Sequence, residues 1–124
     1  GRDNRGAMLR ALLKRSDHAS RLENRVADTS ANPFYAIASQ IISGLDGLQR
    51  ERQPPEATET PYDGVQSLPK NLLEAIEAFE ESSLITSFYG AGFKKYLSTL
   101  KRAEWERYLM TVSEWEQKEY FGLF

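Results

Sequence analysis

The chain has 124 residues, of which 40% are hydrophobic, and a formal net charge of −2. That length and composition suit one domain with a modest core rather than a disordered segment. Cysteine is absent, which excludes a disulfide framework, thiolate chemistry and cysteine-ligated zinc.

The small net charge hides an asymmetry. Arg2, Arg5, Arg10, Lys14, Arg15, Arg21 and Arg25 open the chain against only Asp3, Asp17 and Glu23, whereas the stretch from Glu104 to Glu119 is acidic. A basic opening suits a phosphate, a carboxylate or nucleic acid. Nucleic acid is disfavoured, because Phe34 and Tyr35 are the nearest aromatics and fall in a helical pattern, leaving no stacking platform. No run of 18 apolar residues and no signal-peptide core occurs, so no membrane partner is expected and a cytoplasmic location is the default.

Ala7 to Leu13 is apolar enough for a short helix or a buried strand, and periodicity does not separate them. Arg5 and Arg10, five positions apart, face opposite ways on a regular strand, so a bulge or curve is needed if both serve one ligand. Lys14 to Ala19 reads as a polar loop. Arg21 to Val26 reads as a strand, with Arg21, Glu23 and Arg25 on one face and Leu22, Asn24 and Val26 on the other. An acid between two arginines is a platform for an anionic ligand or a metal–phosphate, or else an ion-pair row that keeps the strand in water. Glu23 offers a divalent cation one hard oxygen, and Asp28 is the nearest further carboxylate. Arginine forks match carboxylates and phosphates. His18, alone in a loop, takes no catalytic part, and neither glycine-rich nucleotide fingerprint occurs.

Asn32-Pro33 is a helix start, an N-cap followed by a proline that loses no hydrogen bond. Phe34, Ile37, Ala38, Ile41, Ile42, Leu45 and Leu48 then form the stripe of a core-facing helix ending near Arg50. Gly44 and Gly47 weaken it by about 1 kcal/mol each, or permit close packing. Residues 51–67, with Pro54, Pro55, Pro61 and Gly64, form a long surface loop carrying Tyr62. Asn71-x-x-Glu74 has capping-box spacing and opens a helix to about Glu81. Ser83 to Tyr89 is a short turn or helix, Gly90 and Gly92 bracket a break, and a long helix runs from Phe93 to Thr111. Trp105 and Trp115 are expected to seal a core or an interface. Ser113-x-x-Glu116 caps a last short helix, and the apolar ending Phe121-Gly122-Leu123-Phe124 is expected to pack against something. One or two strands and about four helices define an α+β chain. A lone strand pair is marginal, so the strands are expected to belong to a larger antiparallel sheet contributed from elsewhere.

The run Asn4-Arg5-Gly6-Ala7-Met8-Leu9-Arg10, then Arg21-Leu22-Glu23-Asn24-Arg25, Asp28, Ala31-Asn32-Pro33-Phe34-Tyr35 and Gly44-Leu45-Asp46-Gly47 resembles the glutamine synthetase family. Residues 1–124 as a whole resemble the C-terminal part of its catalytic domain, with the N-terminal part of the parent chain absent. The resemblance implies ATP-dependent amide formation. The γ-carboxylate of glutamate takes the γ-phosphoryl group of ATP, and ammonia or an amine displaces phosphate from the acyl phosphate. It implies that Glu23 is a ligand for Mg2+ or Mn2+, that Arg25 contacts glutamate, and that Arg5, Arg10 and Arg21 surround the substrate and the ATP phosphates. It also implies a ring homo-oligomer for the parent and no catalysis by this stretch alone. Tyr62-Asp63 stands roughly where some bacterial members carry an adenylylated tyrosine, with Pro61 and Gly64 departing from that motif. The ending differs from the ammonia-using bacterial form, which leaves a γ-glutamyl-amine or polyamine ligase as the alternative. A noncatalytic family member and a small helical interaction module are the remaining readings.

Overall fold

A computed structural model describes residues 5–13, 18–63 and 67–123. Expectations for Arg2, Arg15, Gly64, Phe124 and the Lys14–Asp17 part of the first loop lie outside these residues. The elements are β1 (Leu9–Leu12), β2 (Arg21–Asn24), α1 (Pro33–Gln49), α2 (Leu72–Glu81), α3 (Ser83–Leu109) and α4 (Glu114–Tyr120). The chain is therefore a mostly helical α+β chain, and it divides into two compact units, Gly1–Gln66 and Ser67–Phe124.

In the first unit the ambiguous apolar stretch is a strand. β1 and β2 pair antiparallel, with Leu9 opposite Asn24, Arg10 opposite Glu23, Ala11 opposite Leu22 and Leu12 opposite Arg21. The Arg25 N–H donating to the Met8 carbonyl at 3.0 Å carries the pairing one step further. The strand is not buried as a core strand is: Met8, Leu9 and Leu13 are all exposed.

Helix α1 starts where its cap predicts. Asn32 Oδ1 accepts from the Phe34 N–H at 3.0 Å and the Tyr35 N–H at 3.4 Å. Its end is a Schellman turn, in which the Arg52 N–H donates to the Gly47 carbonyl at 2.9 Å and the Glu51 N–H to that of Leu48 at 3.2 Å. Glu51 sits in the left-handed region at φ 50, a place glycine usually fills. The expected core-facing stripe is not a core here. Phe34, Ile37, Ile41, Leu45 and Leu48 are exposed and Ile42 alone of the stripe is buried, because α1 packs on neither strand of its unit among the described residues. A methyl on Gly44 or Gly47 would meet open space, so their close-packing role is not seen either.

The second unit is organised by α2 against α3. Asn71 Oδ1 accepts from the Glu74 N–H at 2.9 Å, and Glu74 reaches back one residue beyond the cap, to the Lys70 N–H at 2.8 Å. Ile76 and Ser98 are its buried residues. Arg102 Nε donates to Glu80 Oε1 at 3.0 Å, and its second nitrogen pairs with Glu80 Oε2, joining the two helices. The expected break is real: Gly90 has φ 80 and ψ 159 inside α3. Lys94 spans it, donating to the Ser82 carbonyl at 3.0 Å and to Thr86 Oγ1 at 2.9 Å. Tyr89 and Phe93 stack across it at 4.8 Å. Ser113 and Glu116 close a full capping box at the start of α4. Trp115 there is exposed, as are Phe121 and Leu123, so the expected packing of the tail does not occur among the described residues. No helix among them is long and apolar enough to cross a membrane.

Candidate active-site face on the hairpin

Strand alternation decides what shares a face. The register puts Met8, Arg10 and Leu12 beside Arg25, Glu23 and Arg21 on one side of the hairpin. Glu23 is the centre of that face. Its Oε1 accepts from Arg25 Nε at 3.2 Å, and its Oε2 lies 3.5 Å from Arg10 Nη1 across the strands. The Arg25 side chain is the most covered of the three at 19% exposure, while Glu23 at 42% and Arg10 at 53% remain open to a ligand. The hydrogen bond from Arg25, and then the charges of Arg25 and Arg10, hold the Glu23 carboxyl below its ordinary value, with partial desolvation opposing them.

The turn after β2 is built by short polar side chains. Asn24 Oδ1 accepts from the Val26 N–H at 2.9 Å. Asp28 Oδ1 accepts from both the N–H and the hydroxyl of Ser30 at 2.6 Å, which lowers the Asp28 carboxyl as well. These turns lead directly to the Asn32 cap and fix the corner between β2 and α1.

The structure thus brings three of the expected site residues together: Arg10, Glu23 and Arg25. Arg21 shares the face, but its Nη1 donates to the Ala19 carbonyl at 2.9 Å. Arg5 is exposed, ahead of β1 and outside the ion-pair row. Asp28 spends its carboxylate on the turn, and no three His, Cys, Asp or Glu residues gather among the described residues. Among the described residues this face therefore offers a cation one hard oxygen donor group, the Glu23 carboxylate, and fits a metal only in part.

Sequence reasoning missed a contact at Gly6, the residue next to Arg5. A Cβ on Gly6 would lie 2.6 Å from Pro61 Cγ, 2.6 Å from Tyr62 Cζ and 2.9 Å from the Tyr62 hydroxyl. The signal present in sequence was the glycine itself, standing in a strand approach where close contact with another backbone or side chain is the usual reason for one.

In the second unit a cavity of about 420 Å³ is lined by Glu80, Thr86, Lys94, Ser98 and Arg102. Two of its cations are committed within this unit, Lys94 to Ser82 and Thr86 and Arg102 to Glu80. The Arg102–Glu80 pair on its wall fastens α2 to α3.

A two-stranded platform whose central carboxylate is clamped by arginines, followed by an asparagine–proline helix corner, has the donor geometry that suits phosphate and carboxylate groups. Comparison with known proteins gives the chain a family. Residues 1–120 match the glutamine synthetase catalytic domain, and this chain belongs to that family. It is 42% identical to a gamma-glutamylanilide synthase of Acinetobacter over 98% of its length. It is 34% identical over its full length to a glutamate–methylamine ligase of Methyloversatilis universalis, and 32% identical over 98% to a glutamine synthetase of Pyrococcus abyssi. The chain spans 27%, 29% and 32% of those three relatives.

Proposed function

We propose that this chain supplies the arginine-clamped carboxylate of an ATP-dependent ligase joining the γ-carboxyl of glutamate to ammonia or an amine. The observation that carries the reading is the Arg10–Glu23–Arg25 row on one hairpin face of a glutamine synthetase-family chain. Two guanidiniums around one carboxylate leave an excess of positive charge. A divalent cation on Glu23 would enlarge that excess, and an anionic substrate would offset it. ATP phosphates and the carboxylates of glutamate supply that negative charge, and phosphoryl transfer depends chiefly on such positioning and neutralisation.

In this reading Glu23 holds Mg2+ or Mn2+, which when bound neutralises charge on the transferring phosphoryl group. Arg25 orients glutamate. Arg10, with Arg5 and Arg21, draws the ATP phosphates to the same face. The remaining metal ligands and most of the nucleotide pocket come from other parts of the whole protein, which this reading places in the cytoplasm as a ring homo-oligomer. The 124 residues alone are then inactive. The hairpin belongs to a larger antiparallel sheet, whose other strands and neighbours cover the apolar stripe of α1.

The higher identity to the anilide synthase favours an amine other than ammonia as acceptor. The test is the full-length protein with ATP, Mg2+ and glutamate, offered ammonia, methylamine, a polyamine or aniline in turn, with ADP and the γ-glutamyl amide both measured. An amide with any acceptor sustains the ligase reading, and a higher kcat/KM for an organic amine than for ammonia sustains the acceptor assignment. ADP release with none of them defeats the ligase reading in favour of a noncatalytic family member or an interaction module.

A further inference from the structure

We propose that the Pro61–Tyr62 turn is a clasp on Gly6 that seats Arg5, making Tyr62 a positioning residue of the site. The inference rests on the ligase reading for what Arg5 does, and on geometry alone for the clasp.

The clasp is long-range in sequence and close in space. Pro61 Cγ and Tyr62 Cζ come within 2.6 Å of where a Cβ on Gly6 would stand, so any side chain at position 6 must displace the Pro61 ring and the Tyr62 ring tip. Gly6 and Pro61 are half-buried, while Tyr62 itself stays 83% exposed. The tyrosine thus spends little of its surface on a core and places the tip of its ring on the chain at Gly6, next to Arg5. Two residues further on, the Met8 carbonyl accepts the Arg25 N–H. The segment from Gly6 to Met8 is therefore held at one end by the ring and at the other by the hairpin, and Arg5 is the residue next to its ring-held end. The same contact ties down the end of a loop whose residues 52–58 form no regular structure.

A methyl at Gly6 must push its neighbours to ordinary contact, a displacement of about 1 Å, and displacements of that size are enough to impair a positioned group. Arg5 then loses its seat against an anionic substrate that it meets in the ground state. Such a loss raises KM and leaves kcat unchanged.

The experiment uses the full-length protein in two assays. The first is limited digestion with a glutamate-specific protease, read as cleavage after Glu56 and Glu59. The second is ADP release with ATP, glutamate and the best amine. Tyr62→Ala is expected to open the loop, with cleavage about tenfold faster, and to raise the KM of ATP or of glutamate about tenfold at unchanged kcat. Gly6→Ala should do the same alone, yet add nothing in a Pro61→Ala/Tyr62→Ala background, because the clash it creates is then gone. Tyr62→Phe keeps the ring and should behave as wild type, which serves as the folded control.

Unchanged cleavage in Tyr62→Ala and Gly6→Ala overturns the clasp. So does a Gly6→Ala penalty of equal size in both backgrounds. Faster cleavage with an unmoved KM overturns the role of Tyr62 in seating Arg5. If wild type releases no ADP with any acceptor, the ligase reading fails and takes the seating role with it, while the cleavage rates still decide the clasp.

Discussion

Gly90 and Gly92 are two residues apart in α3, and replacing each by alanine should move stability in opposite directions. Neither added methyl meets any atom within 4 Å, so side-chain packing contributes nothing to either change and only the backbone differs. At Gly90, φ 80 and ψ 159 lie in a region essentially reserved for glycine, where another residue costs about 1–3 kcal/mol. Alanine recovers about 0.4–1 kcal/mol by restricting the unfolded chain, leaving a net loss centred on about 1 kcal/mol. Gly92 is helical, so alanine there gains about 0.5–1 kcal/mol. An alanine at position 90 that straightened the helix would escape the strain, but it would draw Lys94 away from Ser82 and Thr86 and lose both bonds. Urea unfolding followed by the fluorescence of Trp105 and Trp115, both in this unit, reports the difference. With slopes of about 1–3 kcal/mol per M, the two midpoints should separate by about 1 M, with wild type between them. Two shifts of the same sign would refute the assignment of the kink to the backbone of Gly90.

Two other changes test local features. Glu51→Gly should stabilise the protein by about 1 kcal/mol, because it relieves a side chain held at positive φ in the Schellman turn, and a raised melting temperature checks it. The Glu80 carboxyl is held below its ordinary value of 4.5, first by its hydrogen bond from Arg102. Its folded pKa is therefore below its unfolded one, so the stabilisation is complete above about pH 4.5 and is lost as pH falls through the folded value. Arg102→Ala should flatten the acid limb of the stability–pH curve and leave its shape near neutrality unchanged; an unaltered acid limb would count against the pair.

The parts of the fold that were legible in sequence are those decided by a few neighbouring residues. Asn32-Pro33, Asn71-x-x-Glu74, Ser113-x-x-Glu116 and the break at Gly90 are all where their local chemistry places them, because a cap or a glycine acts within one turn of helix. Burial was not legible. The stripe from Phe34 to Leu48 has the period of a buried face, and period records only that a face expects a partner. Of the site, the shared face of Glu23 and Arg25 follows from strand alternation. The addition of Arg10 needed the register that sets it opposite Glu23. The contact of Tyr62 with Gly6 joins residues so far apart in the chain that no local pattern encodes it, and the Schellman turn at Glu51 was hidden because a glutamate fills the place where glycine is the usual marker.

Under the proposed ligase reading the γ-carboxylate of glutamate is phosphorylated before the amine adds, and the fate of its oxygens tests that order. If a carboxylate oxygen attacks the γ-phosphorus and the amine then displaces phosphate, that oxygen leaves with the phosphate. Full-length protein turning over ATP, an amine and glutamate labelled with 18O in its γ-carboxylate should therefore release inorganic phosphate carrying one labelled oxygen per amide formed. Glu23→Ala should abolish both products together. Amide formation with unlabelled phosphate would contradict the account.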